Sequence, residues 1–112
     1  MIVLDLPAPL SVNRTRRIDL SAKPQIGRWI RAADALVMSQ GRLPPAIRGR
    51  FSVTLTMPEH SSLDLDNSPK QVIDYLRRLE LIENDSPRCM REVWLKFGEA
   101  PEGCRVTVKE FL

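Results

Sequence analysis

The acidic stretch at residues 63–70, LDLDNSPK, contains the side chains best suited to bind a metal ion. Asp64 and Asp66 lie two residues apart in a segment that should approach a helix in an extended conformation. Because residues i and i+2 of an extended chain point to the same face, the two carboxylates can converge on one cation. Magnesium prefers such hard oxygen ligands and often takes only one or two protein carboxylates, with water and phosphate oxygens completing its shell. The spacing therefore indicates a divalent-cation site.

Lys70 follows in the first turn of the predicted helix, where it could contact a phosphate or neutralise charge that develops on it. The free N–H groups of a helix N-terminus also favour anions. A purely structural role is the alternative, because Lys70 lies four residues from both Asp66 and Asp74, at ion-pair spacing. A calcium EF-hand is disfavoured, since Pro69 stands where that loop needs Gly and Tyr75 where it needs Glu.

Residues 64–85, DLDNSPKQVIDYLRRLELIEND, resemble the RusA family of Holliday junction endonucleases. That family carries D-x-D-N, a lysine four residues after the second Asp, an amphipathic helix and a third Asp after the helix. The segment PAPLSVNR also resembles the strand-exit loop of the family, P-x-P-x-x-x-N. The matching positions are Asp64, Asp66, Asn67, Lys70 and Asp85 in the first segment, and Pro7, Pro9 and Asn13 in the second.

The resemblance implies a homodimer that binds four-way DNA junctions and nicks opposing strands with magnesium or manganese. It implies Asp64, Asp66 and Asp85 as the catalytic metal ligands, and Lys70 as the catalytic or phosphate-binding cation. Family members often carry a run of arginines before the first Asp, where this chain has Ser61, Ser62 and Leu63. The expected DNA contacts therefore include the loop before the first helix, although a solvated basic loop is the alternative. These DNA-binding candidates are Asn13, Arg14, Arg16, Arg17 and Lys70.

The predicted helix separates the third aspartate, Asp85, from Asp64 and Asp66. A helix of about 12 residues is ~18 Å long, and the five residues from Leu81 to Asp85 span at most ~17 Å. Asp85 can therefore join Asp64 and Asp66 only if the chain doubles back along the helix, or if a partner subunit supplies it. Two residues shortly before Asp85 also depart from the family pattern. Asn84 replaces a frequent additional Asp, and Glu80 replaces a Gly that often follows the helix.

Six elements must position these residues, in the order β-α-β-α-β-β, which predicts an α+β fold with a four-stranded mixed sheet and two helices. Alternating apolar residues predict the strands, and apolar residues at 3.6-residue spacing predict the helices. The turn GEAPEG predicts that the last two strands form a hairpin. The predicted strands are Ile2–Leu6, Phe51–Met57, Cys89–Phe97 and Cys104–Leu112, and the predicted helices run from an N-cap at Ser21 to about Gln40 and from an N-cap at Ser68.

The composition predicts one domain over residues 1–112, because the chain has 112 residues of which 43% are hydrophobic, which argues against disorder. Two cysteines are too few for a disulfide scaffold. No apolar stretch approaches the ~20 residues of a membrane helix, and MIVLDLP lacks the pattern of a signal peptide. We therefore expect a cytoplasmic protein without membrane contact. Residues 1–60 carry a net charge of +5 and residues 61–112 carry −2, which suits phosphate contacts in one half and a cation site in the other.

Two further functions stay open from the sequence: a DNA-binding module of this fold without nuclease activity, and a small non-enzymatic adaptor whose acidic helix start is structural. Trp29 and Trp94 fall at periodic apolar or strand positions and are expected in the core. Apolar faces left open by so small a sheet would suit a dimer interface.

Overall fold

The computed structural model describes residues 1–10, 22–62 and 69–111. The α+β class, the element order and the four-stranded mixed sheet with two helices are as predicted. The predicted N-caps Ser21 and Ser68 lie outside the described residues. Within these ranges no helix is both long and apolar enough to cross a membrane. The elements are β1 (Ile2–Leu6), α1 (Ala22–Ser39), β2 (Phe51–Pro58), α2 (Pro69–Arg78), β3 (Met90–Gly98) and β4 (Cys104–Glu110).

The strand order is β1-β4-β2-β3, so the predicted hairpin of β3 and β4 is wrong. β4 lies between β1 and β2 and is antiparallel to both, whereas β3 pairs in parallel with β2. The chain after β3 therefore crosses the end of β2 before it enters β4. The physical reason is burial: Cys104, Val106 and Val108 of β4 are completely buried, as a central strand requires, while β3 is charged and mostly exposed. Alternation shows that a strand exists but does not show its neighbours.

The core lies between one face of the sheet and the two helices. Leu4, Val106, Leu55 and Leu95 form one row across the four strands on this face. The strand residues cluster with apolar side chains of α1 and α2. The helix residues of the cluster are Trp29, Ala33, Val37, Val72, Ile73, Tyr75 and Leu76.

The opposite face of the sheet, here called the polar face, carries mainly polar and charged side chains. One row runs from Asp5 through Arg105 and Thr56 to Lys96. The Arg105 guanidinium donates from Nε to Asp5 Oδ1 at 2.8 Å and from a second nitrogen to Oδ2 at 3.3 Å, which links β4 to β1. The paired carboxylate raises the pKa of Arg105 further above its usual value.

The two tryptophans differ from each other in their environment. Trp29 is buried, as predicted, and its ring packs edge-on against Tyr75 with centroids 5.3 Å apart, which joins α1 to α2. Trp94 is 60% exposed on the polar face of β3, so the prediction of core packing was wrong for this residue. Its strand position looks like a core position in sequence, but β3 is an edge strand and the face on which Trp94 lies does not pack on the helices.

A second link between the helices is polar. The Tyr75 hydroxyl donates to Asp34 Oδ1 at 2.7 Å. Burial, followed by this hydrogen bond to a carboxylate, raises the pKa of Tyr75 well above its usual value of 10.0. The neutral tyrosine is therefore favoured in the folded chain, and its contribution to stability is lost as pH rises above about 10.

The end of α2 is a Schellman motif with an unusual residue in its left-handed position. Glu80 has φ 60°, and its N–H bonds to the carbonyl of Arg77, while the N–H of Leu81 bonds to the carbonyl of Leu76. Leu76 and Leu81 are both buried, which supplies the apolar contact that accompanies this motif. α2 is consequently shorter than the 12 residues expected from the sequence, and the chain reverses direction at its end.

Replacing Glu80 by glycine is expected to stabilise the fold by about 0.5–1 kcal/mol, because glycine adopts a positive φ without the penalty of a side chain. The midpoint of thermal unfolding should rise by about 2–4 °C. Glu83→Gly, on an exposed side chain three residues later, serves as the control and should not raise it. An equal or lower midpoint for Glu80→Gly would show that the left-handed position carries no strain.

Candidate functional site

The chain returns along α2 after the Schellman motif and brings Asp85 back towards the start of that helix. The returning segment is anchored by Ile82, which is buried and forms a parallel bridge with Ile47. The N–H of Ile47 also donates to the carbonyl of Leu81 at 2.8 Å. The chain therefore doubles back along α2, as one of the two routes for Asp85 requires, and Asp85 comes to lie beside Lys70.

Asp85 lies beside two cations of α2. Its Oδ2 is 3.7 Å from Lys70 Nζ, and its Oδ1 is 3.5 Å from a guanidinium nitrogen of Arg77. Lys70 and Arg77 are seven residues apart, so they share one face of the helix with an axial separation of about 10 Å. The Asp85 side chain is 24% exposed and lies alongside this face, between the two cations.

Lys70 also pairs with Asp74 at 3.4 Å, so the ion pair expected from i,i+4 spacing is present. The Lys70 side chain is 76% exposed, which leaves it free to reach other anions from the start of α2. Exposed ion pairs of this kind contribute little to stability, typically about 0–1 kcal/mol. The two carboxylates therefore hold Lys70 near them without fixing its position.

The loop that leaves β1 is tied to the same end of α2. The N–H of Leu10 donates to Gln71 Oε1 at 2.8 Å, and Trp29 Nε1 donates to the carbonyl of Ala8 at 3.0 Å. Gln71 lies next to Lys70 in the first turn of the helix. The first bond holds Leu10, three residues before Asn13, against the first turn of α2, and the second holds the loop against α1.

Most of the predicted site residues lie outside the described residues. The structure places Lys70 and Asp85 and brings them together. Within residues 1–10, 22–62 and 69–111, no three His, Cys, Asp or Glu side chains lie close enough together to hold one metal ion. The predicted site residues that lie outside these ranges are Asp64, Asp66, Asn67, Asn13, Arg14, Arg16 and Arg17.

Two residues near Asp85 take roles that the sequence analysis did not assign. Arg77 is the second cation beside Asp85, and its spacing of seven from Lys70 is the signal that could have identified it. Asn84 accepts the N–H of Ser86 through Oδ1 at 2.7 Å, in a turn that sets the backbone around Asp85. An aspartate at this position could accept the same bond.

Comparison with known proteins assigns no family. A scan against models of protein families found no match, and a search of curated proteins found none either.

Proposed function

We propose that this chain is a metal-dependent endonuclease that resolves four-way DNA junctions by paired nicks. The observation that supports it best is the distance of 3.7 Å between Lys70 and Asp85, which are fifteen positions apart in the sequence. The resemblance to the RusA family implies that these two residues belong to one site, and their proximity agrees with that expectation.

The residues proposed to hold magnesium or manganese are Asp64, Asp66 and Asp85. Their donors are carboxylate oxygens, which fit the preference of both ions. Asp66 precedes Lys70 by four residues, which limits the distance between their Cα atoms to about 14 Å. The length of the chain therefore allows Asp66 to approach Asp85, which lies beside Lys70. When bound, the ion would supply an activated water and stabilise charge on a phosphate oxygen.

The chain itself would orient and neutralise the phosphate. Lys70 is exposed at the start of α2 and can move from the carboxylates of Asp74 and Asp85 to a phosphate oxygen. Arg77 would hold Asp85 from the other side and restrict the orientation of its carboxylate. The free N–H groups in the first turn of α2 would add a favourable field for the anion.

The proposed DNA contacts come from the loop that follows β1. Leu10 is bonded to Gln71, so this loop leaves the sheet beside Lys70. The loop carries Asn13, Arg14, Arg16 and Arg17 and would supply phosphate contacts in place of the family's arginine run before the first Asp. We further propose that the protein acts in the cytoplasm as a homodimer, because a two-fold junction calls for two matched sites.

The decisive experiment incubates the purified protein with a synthetic four-way junction and, separately, with a linear duplex of one arm's sequence. We expect nicks at symmetric positions in two opposing strands of the junction when magnesium or manganese is present. We expect no nicks when the metal is chelated, and none in the duplex. Junction binding without nicks would instead support the DNA-binding module, and neither binding nor nicking would support the adaptor.

A further inference from the structure

β3 exposes three large apolar side chains at the edge of the sheet. Val93, Trp94 and Phe97 are 41%, 60% and 40% exposed. Within the described residues, no strand pairs with the outer edge of β3, which is nine residues long and contains no proline. Natural proteins usually shorten, bend or cover such edges, because free N–H and C=O groups beside apolar side chains attract another strand.

The exposed apolar side chains lie on both faces of β3. Val93 and Phe97 lie on the helix side, opposite Val53 and Met57 of β2, while Trp94 lies on the polar face opposite Thr54. A helix docked on one face would cover only some of them. A further strand added at the edge covers both faces at once, because its own side chains alternate in the same way.

The charges of β3 indicate which strand would fit. Suppose that β3 pairs antiparallel with β3 of a second copy, with Trp94 opposite Trp94. Glu92 then lies opposite the partner's Lys96, and Lys96 opposite the partner's Glu92, while Val93 lies opposite the partner's Leu95. If the centre of the pairing moves from Trp94 by one residue in either direction, neither Glu92 nor Lys96 lies opposite a residue of opposite charge. Within one chain the two residues are about 13 Å apart along the strand, so they cannot neutralise each other there.

We propose that β3 is the dimer interface and that two copies join edge to edge, with Trp94 on the two-fold axis, into one eight-stranded sheet. The sequence of β3 is self-complementary in this register, as a symmetric interface requires. This inference deepens the proposed function, on which it rests for the need for two copies, by naming the surface that joins them. The two helix layers would lie on the same side of the joined sheet.

The test is a charge swap measured by sedimentation equilibrium, with neither DNA nor metal present. We expect the wild-type protein to be a dimer. Glu92→Lys and Lys96→Glu should each weaken the dimer about tenfold or more, because each places like charges opposite one another twice. The double variant Glu92→Lys/Lys96→Glu restores both opposite-charge pairs and should dimerise like the wild type.

Lys109→Glu is the matched control, because Lys109 is exposed on the polar face of β4, two strands away from the edge. It should leave the dimer unchanged. A monomeric wild-type protein, or a dimer that Glu92→Lys and Lys96→Glu leave intact, would overturn the proposed interface. Failure of the double variant to recover would overturn the register. A dimer that behaves as expected but never nicks a junction would instead overturn the proposed nuclease and leave the interface standing.

Discussion

Replacing Asp85 by asparagine is expected to reduce junction nicking by about a hundredfold or more, with little change in stability. The carboxylate of Asp85 is a proposed metal ligand, and asparagine retains its shape but loses its charge. Loss of a group that holds or stabilises charge at a reaction centre has effects of this size. The ion pairs of Asp85 with Lys70 and Arg77 are long, at 3.7 and 3.5 Å. The free energy of unfolding should therefore change by less than about 1 kcal/mol.

Asp74→Asn is the matched control. Asp74 is the other carboxylate beside Lys70, at 3.4 Å, but it is not among the proposed ligands. It should retain most of the nicking activity. Affinity for Mn²⁺, measured by calorimetry without DNA, should fall at least tenfold in Asp85→Asn and in Asp66→Asn and stay unchanged in Asp74→Asn. Equal losses in Asp74→Asn and Asp85→Asn would mean that both residues act only by holding Lys70.

Replacing Gly103 by alanine is expected to destabilise the fold by about 3 kcal/mol. Gly103 has φ 112°, which costs residues with a side chain about 1–2 kcal/mol or more. An added Cβ would also overlap the carbonyl oxygen of Leu6 and lie 3.3 Å from Pro7 Cα. Neither contact is a flexible side chain that could move away, since both belong to the backbone where β1 ends.

Gly49→Ala separates the two contributions. Gly49 has φ 87°, but an added Cβ there would meet nothing within 4 Å. It should therefore show only the conformational cost, about 1–2 kcal/mol. Urea unfolding of both variants measures the difference, and Gly103→Ala should also lower the thermal midpoint by roughly 10 °C. If the two variants lose the same free energy of unfolding, the backbone at the start of β4 can shift to avoid the contact between the added Cβ and Leu6.

The sequence predicted the elements well because each follows from a local pattern. The alternation in β2 and the proline at the start of α2 are signals that require no knowledge of the rest of the fold. The order of the strands was not predictable in the same way. A short turn between two alternating runs favours a hairpin, and only the burial of Cys104, Val106 and Val108 shows that β4 is a central strand.

The candidate site was predicted in part. The reach of the chain allowed Asp85 to return to the start of α2 by doubling back, and the reversal at Glu80 brings it beside Lys70. That reversal was hidden because glycine, not glutamate, is the usual residue in a left-handed helix end. Arg77 was not predicted, because the pattern that identifies the helix comes from its apolar residues. Asp64 and Asp66 lie outside the described residues, so their role stays a prediction.

The position of β4 between β1 and β2 also determines when the sheet can form. Asp5 and Arg105, which bond across β1 and β4, are 100 residues apart in the sequence. On a ribosome, β1 emerges long before β4, and the two strands that flank β4 cannot be joined until it has been made. The closing of so large a loop comes late and costs entropy, so we expect slow folding, in milliseconds to seconds. During synthesis the edges of β1 and β2 that pair with β4 stay open, and they can pair with other chains until β4 arrives.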